Sequence, residues 1–480
     1  MKEVIRKTNI IGTIGPASES EEVFTNLVKA GLNVARINFS HGGYEENAEK
    51  IATIKRVREK LNKPVALMLD TKGPEIRTGK LESGDEKVTI EEGQDFTFVY
   101  DDIIGNNTKT TVSYKNLYQD LKPGAKLLVD DGAIEFEVVS IDGKDIKCKA
   151  LNTGRLGSRK TMNVPGLKLN LPALSPKDID DITKGIKAGF DFIAASFVRR
   201  PSDVLEIRKL LNDNGGSHIK IISKIESQEG IDNFEEILKV TDGIMVARGD
   251  MGVEIPMEEV PVVQKHFIKR CNEVGKPVVT ATQMLETMTQ NPRPTRAEVS
   301  DVANAVYDRT SCIMLSGECA MGKYPVECVE TMVRISKTVE SSINYNKRFN
   351  RKKFELDPND IESNIAYTTC VTAQNVNANA IVAYTHKGDS VRKIAGMGPQ
   401  CPVIAITDNE KTYYQLSVVW NVMPILITGK QTIEETIEAG IAELQSENIL
   451  EKGDMIVVAG GAKILPDLTE NKVIGGVARV

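Results

Sequence analysis

Apolar residues recur in short runs along the first two thirds of the chain, separated by stretches with the spacing of helices. The runs fall at residues 9–14, 34–39, 65–69, 192–197, 219–225, 243–247, 278–281 and 312–315. Each is strand-length and mostly apolar, as expected of a strand with both faces covered. Between them lie helix-like segments such as EEVFTNLVKA, which stops at Gly31. Eight parallel strands alternating with helices predict a (β/α)8 TIM barrel, whose reacting groups sit at the C-terminal ends of the strands. At or beside those ends stand Asn38, Ser40, Asp70, Lys224, Glu226, Asp250 and Thr282.

The βα pattern breaks from about residue 73 to 170. There Phe96, Phe98 and Tyr100 alternate with polar residues, as do Ile134, Phe136 and Val138, which is the period of half-buried strands. Turns are marked by Pro123-Gly124 and Asp142-Gly143. So long a β segment is no ordinary loop. It predicts an inserted, β-barrel-like lid domain at 73–170, between the third and fourth strands of a barrel built from 1–72 and 171–345. A basic stretch at 347–353 predicts a linker, read as a solvated segment. Strand patterns at 380–385, 402–407, 423–427, 455–459 and 473–480, with a helix at 432–446, predict a C-terminal open α/β domain over 346–480.

Length supports this division, since 480 residues exceed one ordinary domain. Hydrophobic content of 41% with 27% charged residues reads as globular. A net charge of −6 argues against nucleic acid and anionic membrane as partners. No apolar stretch approaches the roughly 20 residues of a membrane span. The opening MKEVIRK lacks the apolar core of a secretory leader, so a cytoplasmic protein is expected. Seven scattered cysteines without a CxxC pair indicate neither a disulfide framework nor zinc. The four histidines show no metal-binding spacing.

Several stretches carry candidate chemistry. In LNVARINFSHG, strand alternation turns Arg36, Asn38 and Ser40 one way and Ile37 and Phe39 the other. A cation beside neutral oxygen ligands suits a phosphate next to a metal ion; a polar strand edge would look the same. In KIESQEG, Lys224 and Glu226 share a face, and MVARGDMG on the next strand brings Asp250 to the level of Glu226. Two carboxylates completed by substrate oxygens and waters describe an Mg²⁺ site, whereas a buried Lys–Glu ion pair is the structural alternative. Gly249 and Gly252 would let the loop backbone approach an anion. Thr282, level with them on the following strand, could donate to a carboxylate or enolate. Asp70 ends the third strand in DTKGPEIRTG, where Gly73-Pro74 turns the chain into the lid. Arg77 and Lys160 then stand near the two ends of the insertion, where cations could clamp phosphate or simply face solvent. Gly317 to Lys323 has the spacing of a phosphate loop, but Tyr324 follows the lysine where a Ser or Thr is needed.

Taken together, TIGPAS, LNVARINFSHG, DTKGPEIRTG, KIESQEG, MVARGDMGVE and ATQMLETMTQNPRPTRAEVSD make the chain resemble the pyruvate kinase family over nearly its whole length. The resemblance implies phosphoryl transfer from phosphoenolpyruvate to ADP, giving pyruvate and ATP. It implies that Arg36 and Lys224 hold the phosphoryl group, that Lys224 steadies the enolate, and that Gly249, Asp250 and Thr282 bind the substrate end. Glu226 and Asp250 would bind Mg²⁺ (or Mn²⁺). Asn38, Ser40, Asp70 and Thr71 would bind K⁺, with Glu75 marking the K⁺-dependent branch. Asn38, His41, Arg77 and Lys160 would contact the nucleotide, and Thr282, through water, would protonate the enolate. A homotetramer is implied by the MTQNPRPTRAE segment. Another Mg²⁺ barrel enzyme that forms a pyruvate enolate would share the Glu–Asp pair; the lid and the monovalent-cation residues favour phosphoryl transfer. Two departures stand out. Arg309 replaces an expected glycine, at a cost of roughly 1 kcal/mol if its backbone is left-handed. The turn THKGDSVRKIAGMGP keeps Gly388 and Ser390 but carries Lys387. With Arg392 and Lys393 it could still bind an anion, AMP or a sugar phosphate in preference to fructose 1,6-bisphosphate; a structural, unregulated domain is the alternative.

Overall fold

The computed structural model describes residues 5–461 and 473–480. These residues form a closed eight-stranded barrel, a seven-stranded sheet, a two-stranded sheet and a five-stranded sheet. The barrel strands are β1 (Asn9–Thr13), β2 (Val34–Asn38), β3 (Ala66–Asp70), β4 (Phe192–Ala195), β5 (Lys220–Ile225), β6 (Gly243–Ala247), β7 (Val278–Ala281) and β8 (Cys312–Leu315). Each pairs in parallel with its neighbours in the chain, and β8 closes on β1.

Alternation decides which side chains reach the site. Val34, Ile222 and Met245 pack inside the barrel, while Ile37, Ile225 and Val246 pack outward against the helices. Two residues beyond Val34 and Ile222, Arg36 and Lys224 therefore point up the interior toward the mouth. The helices stop and start as their residues demand. Gly31 ends one in the left-handed region, and Ser175 opens another with a capping box closed by Asp178.

The lid sheet runs in the order Ile76–Arg77, Thr161–Asn163, Lys126–Val129, Ile134–Asp142, Asp145–Ala150, Asp95–Val99, Lys109–Thr111. A bridge between Thr78 and Val112 draws its two edges together. Phe96, Phe98 and Phe136 form its core. Both hinge strands are pinned. Gly73 has φ 73°, and a Cβ there would meet the Ser196 Cβ at 2.8 Å, so only glycine fits. Its N–H donates to Asp178 Oδ1 at 3.1 Å. On the return strand the Arg199 guanidinium donates to the carbonyls of Leu169, Leu171 and Pro172.

The C-terminal sheet has the order Val422–Leu426, Val403–Thr407, Ala380–Tyr384, Met455–Gly461, Val473–Arg479, with the last strand antiparallel. The expected linker at 347–353 is instead largely helix, Tyr345–Arg351, because Phe349 is buried against Phe354 and Tyr367. The barrel floor is bolted to this domain. Arg309 has φ 72° and is buried. It donates to the carbonyls of Ala395 (3.1 Å) and Gly396 (2.7 Å), at the C-terminal end of helix Asp389–Met397, and lies 4.7 Å from the Trp420 ring. A cation there meets carbonyls that lack helical donors. Nearby, Arg58 pairs with Asp191 at 3.1 Å and stacks on Tyr414. Lys7 donates to the Gln400 carbonyl (2.6 Å) and Asn421 Oδ1 (2.9 Å).

Candidate active site

At the barrel mouth, Asp70 is the centre of a charge cluster. It ends β3 with no exposure to solvent. On β2, Arg36 donates from Nε to Asp70 Oδ2 at 2.6 Å and from Nη1 to Thr13 Oγ1 at 2.7 Å. Lys224, two strands beyond Asp70 on β5, donates from Nζ to Asp70 Oδ1 at 3.1 Å and to Ser196 Oγ at 2.8 Å. One buried carboxylate thus holds two cations at a fixed separation. Burial opposes the charge on Asp70, but Arg36 and Lys224 outweigh it and hold the carboxyl below its usual range. Burial likewise opposes the Lys224 charge, yet Asp70, Glu226 and Asp250 raise its pKa, so it stays an ammonium.

Glu226 follows directly on β5. Its Oε1 lies 3.0 Å from Lys224 Nζ as an ion pair, yet without hydrogen-bond geometry, and is otherwise unpartnered. Its Oε2 accepts the Phe197 N–H at 2.5 Å. Burial above all, with Asp250 and Asp70 adding repulsion, pushes Glu226 up to about 7, against the pull of Lys224 and the Phe197 N–H. A buried carboxylate oxygen without a hydrogen bond, within electrostatic reach of a second carboxylate, could serve a hard divalent cation. Among the described residues no three His, Cys, Asp or Glu side chains converge on one point. The fit is therefore to an ion whose remaining ligands are substrate and water.

Three expectations need correction. Asp250 does not sit level with Glu226 on β6; the residue opposite in register is Ala247, and Asp250 lies in the first turn of a short helix, Arg248–Glu254. Gly249 and Gly252 belong to this helix and not to a loop, and a Cβ at Gly249 would make ordinary contact with Thr282 at 3.6 Å. Thr282 lies just past β7 with φ 69°, a costly conformation for a β-branched residue. Its Oγ1 accepts the Gly249 N–H at 2.8 Å and donates to the Ala281 carbonyl at 2.6 Å.

The remaining candidates divide by location. Asn38 stands opposite Asp70 in register, and its Oδ1 accepts the Ser40 N–H at 3.0 Å. Thr71 turns toward β4, its Oγ1 taking the Ser196 N–H and its carbonyl the Ser196 hydroxyl. His41 is exposed just beyond β2. Arg77 lies on the lid strand near the hinge, and Lys160 just precedes the strand paired with it. Arg77 is held by Glu75 at 2.7 Å and Lys160 by Asp130 at 2.9 Å. At the effector turn the Arg392 guanidinium donates to the Lys387 carbonyl at 2.9 Å, while Lys393 turns away from both. Arg392 pairs with Asp389, and Lys393 with Asp360 and Glu362.

Sequence reasoning missed Thr13, Ser196, Phe197 and Arg248. Ser196 and Phe197 stand at the end of the fourth apolar run, so strand-end position was their one signal. Phe197 has φ 54°, which aims its N–H at Glu226. Arg248 lies beside the motif glycine, and only the fold reveals its role. It donates to the carbonyls of Ala281 (3.1 Å) and Thr282 (2.6 Å) and to Asp301 (2.8 Å), fastening the strained Thr282 turn.

Comparison with known proteins agrees with this geometry. A family model described as pyruvate kinase, barrel domain, matches residues 5–329, and one described as pyruvate kinase, alpha/beta domain, matches 363–471. The chain is 49% identical to the pyruvate kinase of Clostridium acetobutylicum, over 95% of this chain and 96% of that one. It is 49% identical to the enzyme of Staphylococcus saprophyticus, over 95% of this chain and 78% of that one. The crystal structure of a pyruvate kinase from Cryptosporidium parvum superposes with a TM-score of 0.93 at 38% identity, covering 99% of this chain and 96% of that one. The chain therefore belongs to the pyruvate kinase family, the glycolytic phosphotransferases that pass the phosphoryl group of phosphoenolpyruvate to ADP and release pyruvate.

Proposed function

We propose that the cluster around Asp70 is the phosphoryl-transfer centre of this pyruvate kinase. The observation that carries the reading is the convergence of Arg36, Lys224 and the under-partnered Glu226 at the barrel mouth. Phosphoryl transfer depends mainly on positioning and on neutralising charge at the equatorial oxygens. Arg36 and Lys224 supply two fixed cations for that purpose. Lys224, raised in pKa and buried, also faces the enolate oxygen left when the phosphoryl group departs. The backbone at Gly249 and Asp250, with the Thr282 hydroxyl, binds the substrate carboxylate. Substrate arrival would displace the Gly249 N–H from Thr282 Oγ1 and free both groups for it. Freed in this way, the Thr282 hydroxyl would pass a proton through water to the enolate.

Enzymes of this family are generally metal-dependent. Here Glu226 and Asp250 would hold Mg²⁺ or Mn²⁺, which when bound supplies positive charge to the phosphoryl oxygens. Asn38, Ser40, Asp70 and Thr71 would hold K⁺. His41, Arg77, Lys160 and Asn38 would contact the nucleotide phosphates, and the pinned hinge at Gly73 lets the lid exclude water. The barrel (1–72, 171–345), lid (73–170) and C-terminal domain (346–480) act as catalytic, covering and regulatory parts. Anionic effectors such as AMP or a sugar phosphate would bind the turn at Gly388. Tetramer assembly and a cytoplasmic setting complete the reading; no helix among the described residues is long and apolar enough to cross a membrane.

A coupled assay of ADP-dependent pyruvate formation, with and without K⁺ and divalent ion, tests this. Turnover dependent on both ions supports the assignment. Full turnover without a divalent ion would refute the role of Glu226 and Asp250.

A further inference from the structure

The helix that carries Asp250 is short and weakly fixed by its own sequence. Arg248–Glu254 has seven residues, and its N-cap, Ala247, offers no side-chain cap. Helices of this length do not hold themselves, so their orientation is set by what grips them. The N-terminal end is gripped by the β7 end: Gly249 bonds Thr282, and Arg248 bonds Ala281 and Thr282. The C-terminal end is gripped by the lid. Asn163, on the lid strand Thr161–Asn163, donates from Nδ2 to Glu254 Oε1 at 2.9 Å. Beside it the tip of a lid hairpin approaches the helix, and a Cβ on Gly132 would lie 3.9 Å from Val253 Cγ1. That tip is stiff. Asp130, Asp131 and Gly132 are all left-handed (φ 55°, 55° and 82°), and Asp130 is ion-paired to Lys87 at 3.2 Å and Lys160 at 2.9 Å.

Asp250 and Glu254 are four residues apart and share a helix face. They feel each other directly, since Asp250 adds repulsion to a Glu254 already disfavoured as an anion by burial, against which the Asn163 hydrogen bond works. Both border a cavity of about 110 Å³ between lid and barrel, with Met162, Leu167 and Phe197 also in its wall.

We propose that Asn163 and Glu254 form a latch through which lid closure positions Asp250 for metal binding. The inference rests on the reading of Asp250 as a ligand of the divalent ion. Asn163 and Glu254 are positioning residues, acting through the helix they hold. The latch links the two events the reaction must coordinate, covering the nucleotide and completing the metal site.

Direct titration of Mn²⁺ by electron paramagnetic resonance on the full chain, without nucleotide, tests it on Asp250→Asn, Asn163→Ala, Glu254→Ala, Glu254→Gln and the double alanine variant. Thermal midpoints confirm that each variant is folded. Asp250→Asn should abolish tight Mn²⁺ binding. Each single alanine should weaken it about two- to tenfold, the range of one hydrogen bond. The double alanine variant should be no weaker than the singles, because they break one contact. Glu254→Gln keeps the acceptor and should stay within about twofold of the parent. Additive losses, an Asn163→Ala with unchanged affinity, or a Glu254→Gln as weak as the alanine would overturn the latch while leaving Asp250 a ligand. An Asp250→Asn that binds Mn²⁺ normally would overturn both the latch and the metal assignment beneath it.

Discussion

The two ends of the barrel bury similar residues and use them differently. At the floor, Arg309 and Lys7 spend their hydrogen bonds on backbone carbonyls and an amide of the C-terminal domain, and Arg58 pairs with a single carboxylate over an aromatic ring. At the mouth, two cations and two carboxylates touch one another in a chain from Arg36 to Glu226, with Asp250 close enough to perturb it. The floor charges complete a docking surface. The mouth charges are gathered around one carboxylate, Asp70, where strand ends meet. Buried charge alone therefore does not mark a site, nor does one unbonded oxygen, which Asp191 at the floor has as well as Glu226; several charges gathered from different strand ends at the C-terminal face do.

The largest effect that would test this contrast is at Lys224. Lys224→Met should lower kcat by about 10²–10³, roughly 3–4 kcal/mol of barrier, as for the loss of one transition-state donor. Its thermal midpoint should fall too, because Asp70 and Glu226 lose the buried cation between them. A large fall in stability with turnover intact would put the mouth in the same class as the floor. Arg309→Ala should lower stability alone. Losing a charged donor to two carbonyls, with the left-handed backbone still carrying a Cβ, should cost about 1.5–3 kcal/mol of stability by denaturant titration, with kcat/KM nearly unchanged. Gly398→Ala sharpens the point, since its Cβ would lie 2.4 Å from Arg309 Nη1 at φ 87°. In the Arg309→Ala background that clash disappears, and only the backbone cost of about 1 kcal/mol should remain.

A subtler difference lies in pH. Glu226 titrates near 7 in the metal-free protein, above its ordinary value. Its proton therefore stabilises the metal-free fold at acid pH, and that contribution is lost as pH rises through about 7. A divalent ion must displace the same proton. Apparent Mn²⁺ affinity should rise with pH up to about 7 and then level off, and Glu226→Gln should remove the rise. A flat profile in the parent protein would detach Glu226 from the metal.

Much of this was legible from residue order. Continuous apolar runs gave the strands, and period-two parity put Arg36 and Lys224 inside because Val34 and Ile222 are inside. The inserted lid announced itself by the change of period at Gly73. What stayed hidden depends on contacts between distant segments. Arg248 looks like any surface cation until β7 lies beside it. Nothing near Phe197 marks it as a donor, because its role is backbone geometry. Asp250 was placed on a strand because a seven-residue helix has too few turns to show a period. In the helix Tyr345–Arg351 the basic residues, which suggest a solvated linker, mask the buried Phe349. Conversely, the left-handed Arg309 could be anticipated from the glycine it replaces, though not the helix end it clamps.

The central claim is that Arg36, Lys224, Glu226 and Asp250 surround one metal-held phosphoryl site. It is tested most directly by diffraction from crystals grown with Mn²⁺ and a phosphoenolpyruvate analogue. The account predicts anomalous density bounded by Glu226 and Asp250, with the analogue's oxygens against Arg36 and Lys224. Metal and analogue bound elsewhere, with these four side chains still paired only to one another, would contradict it.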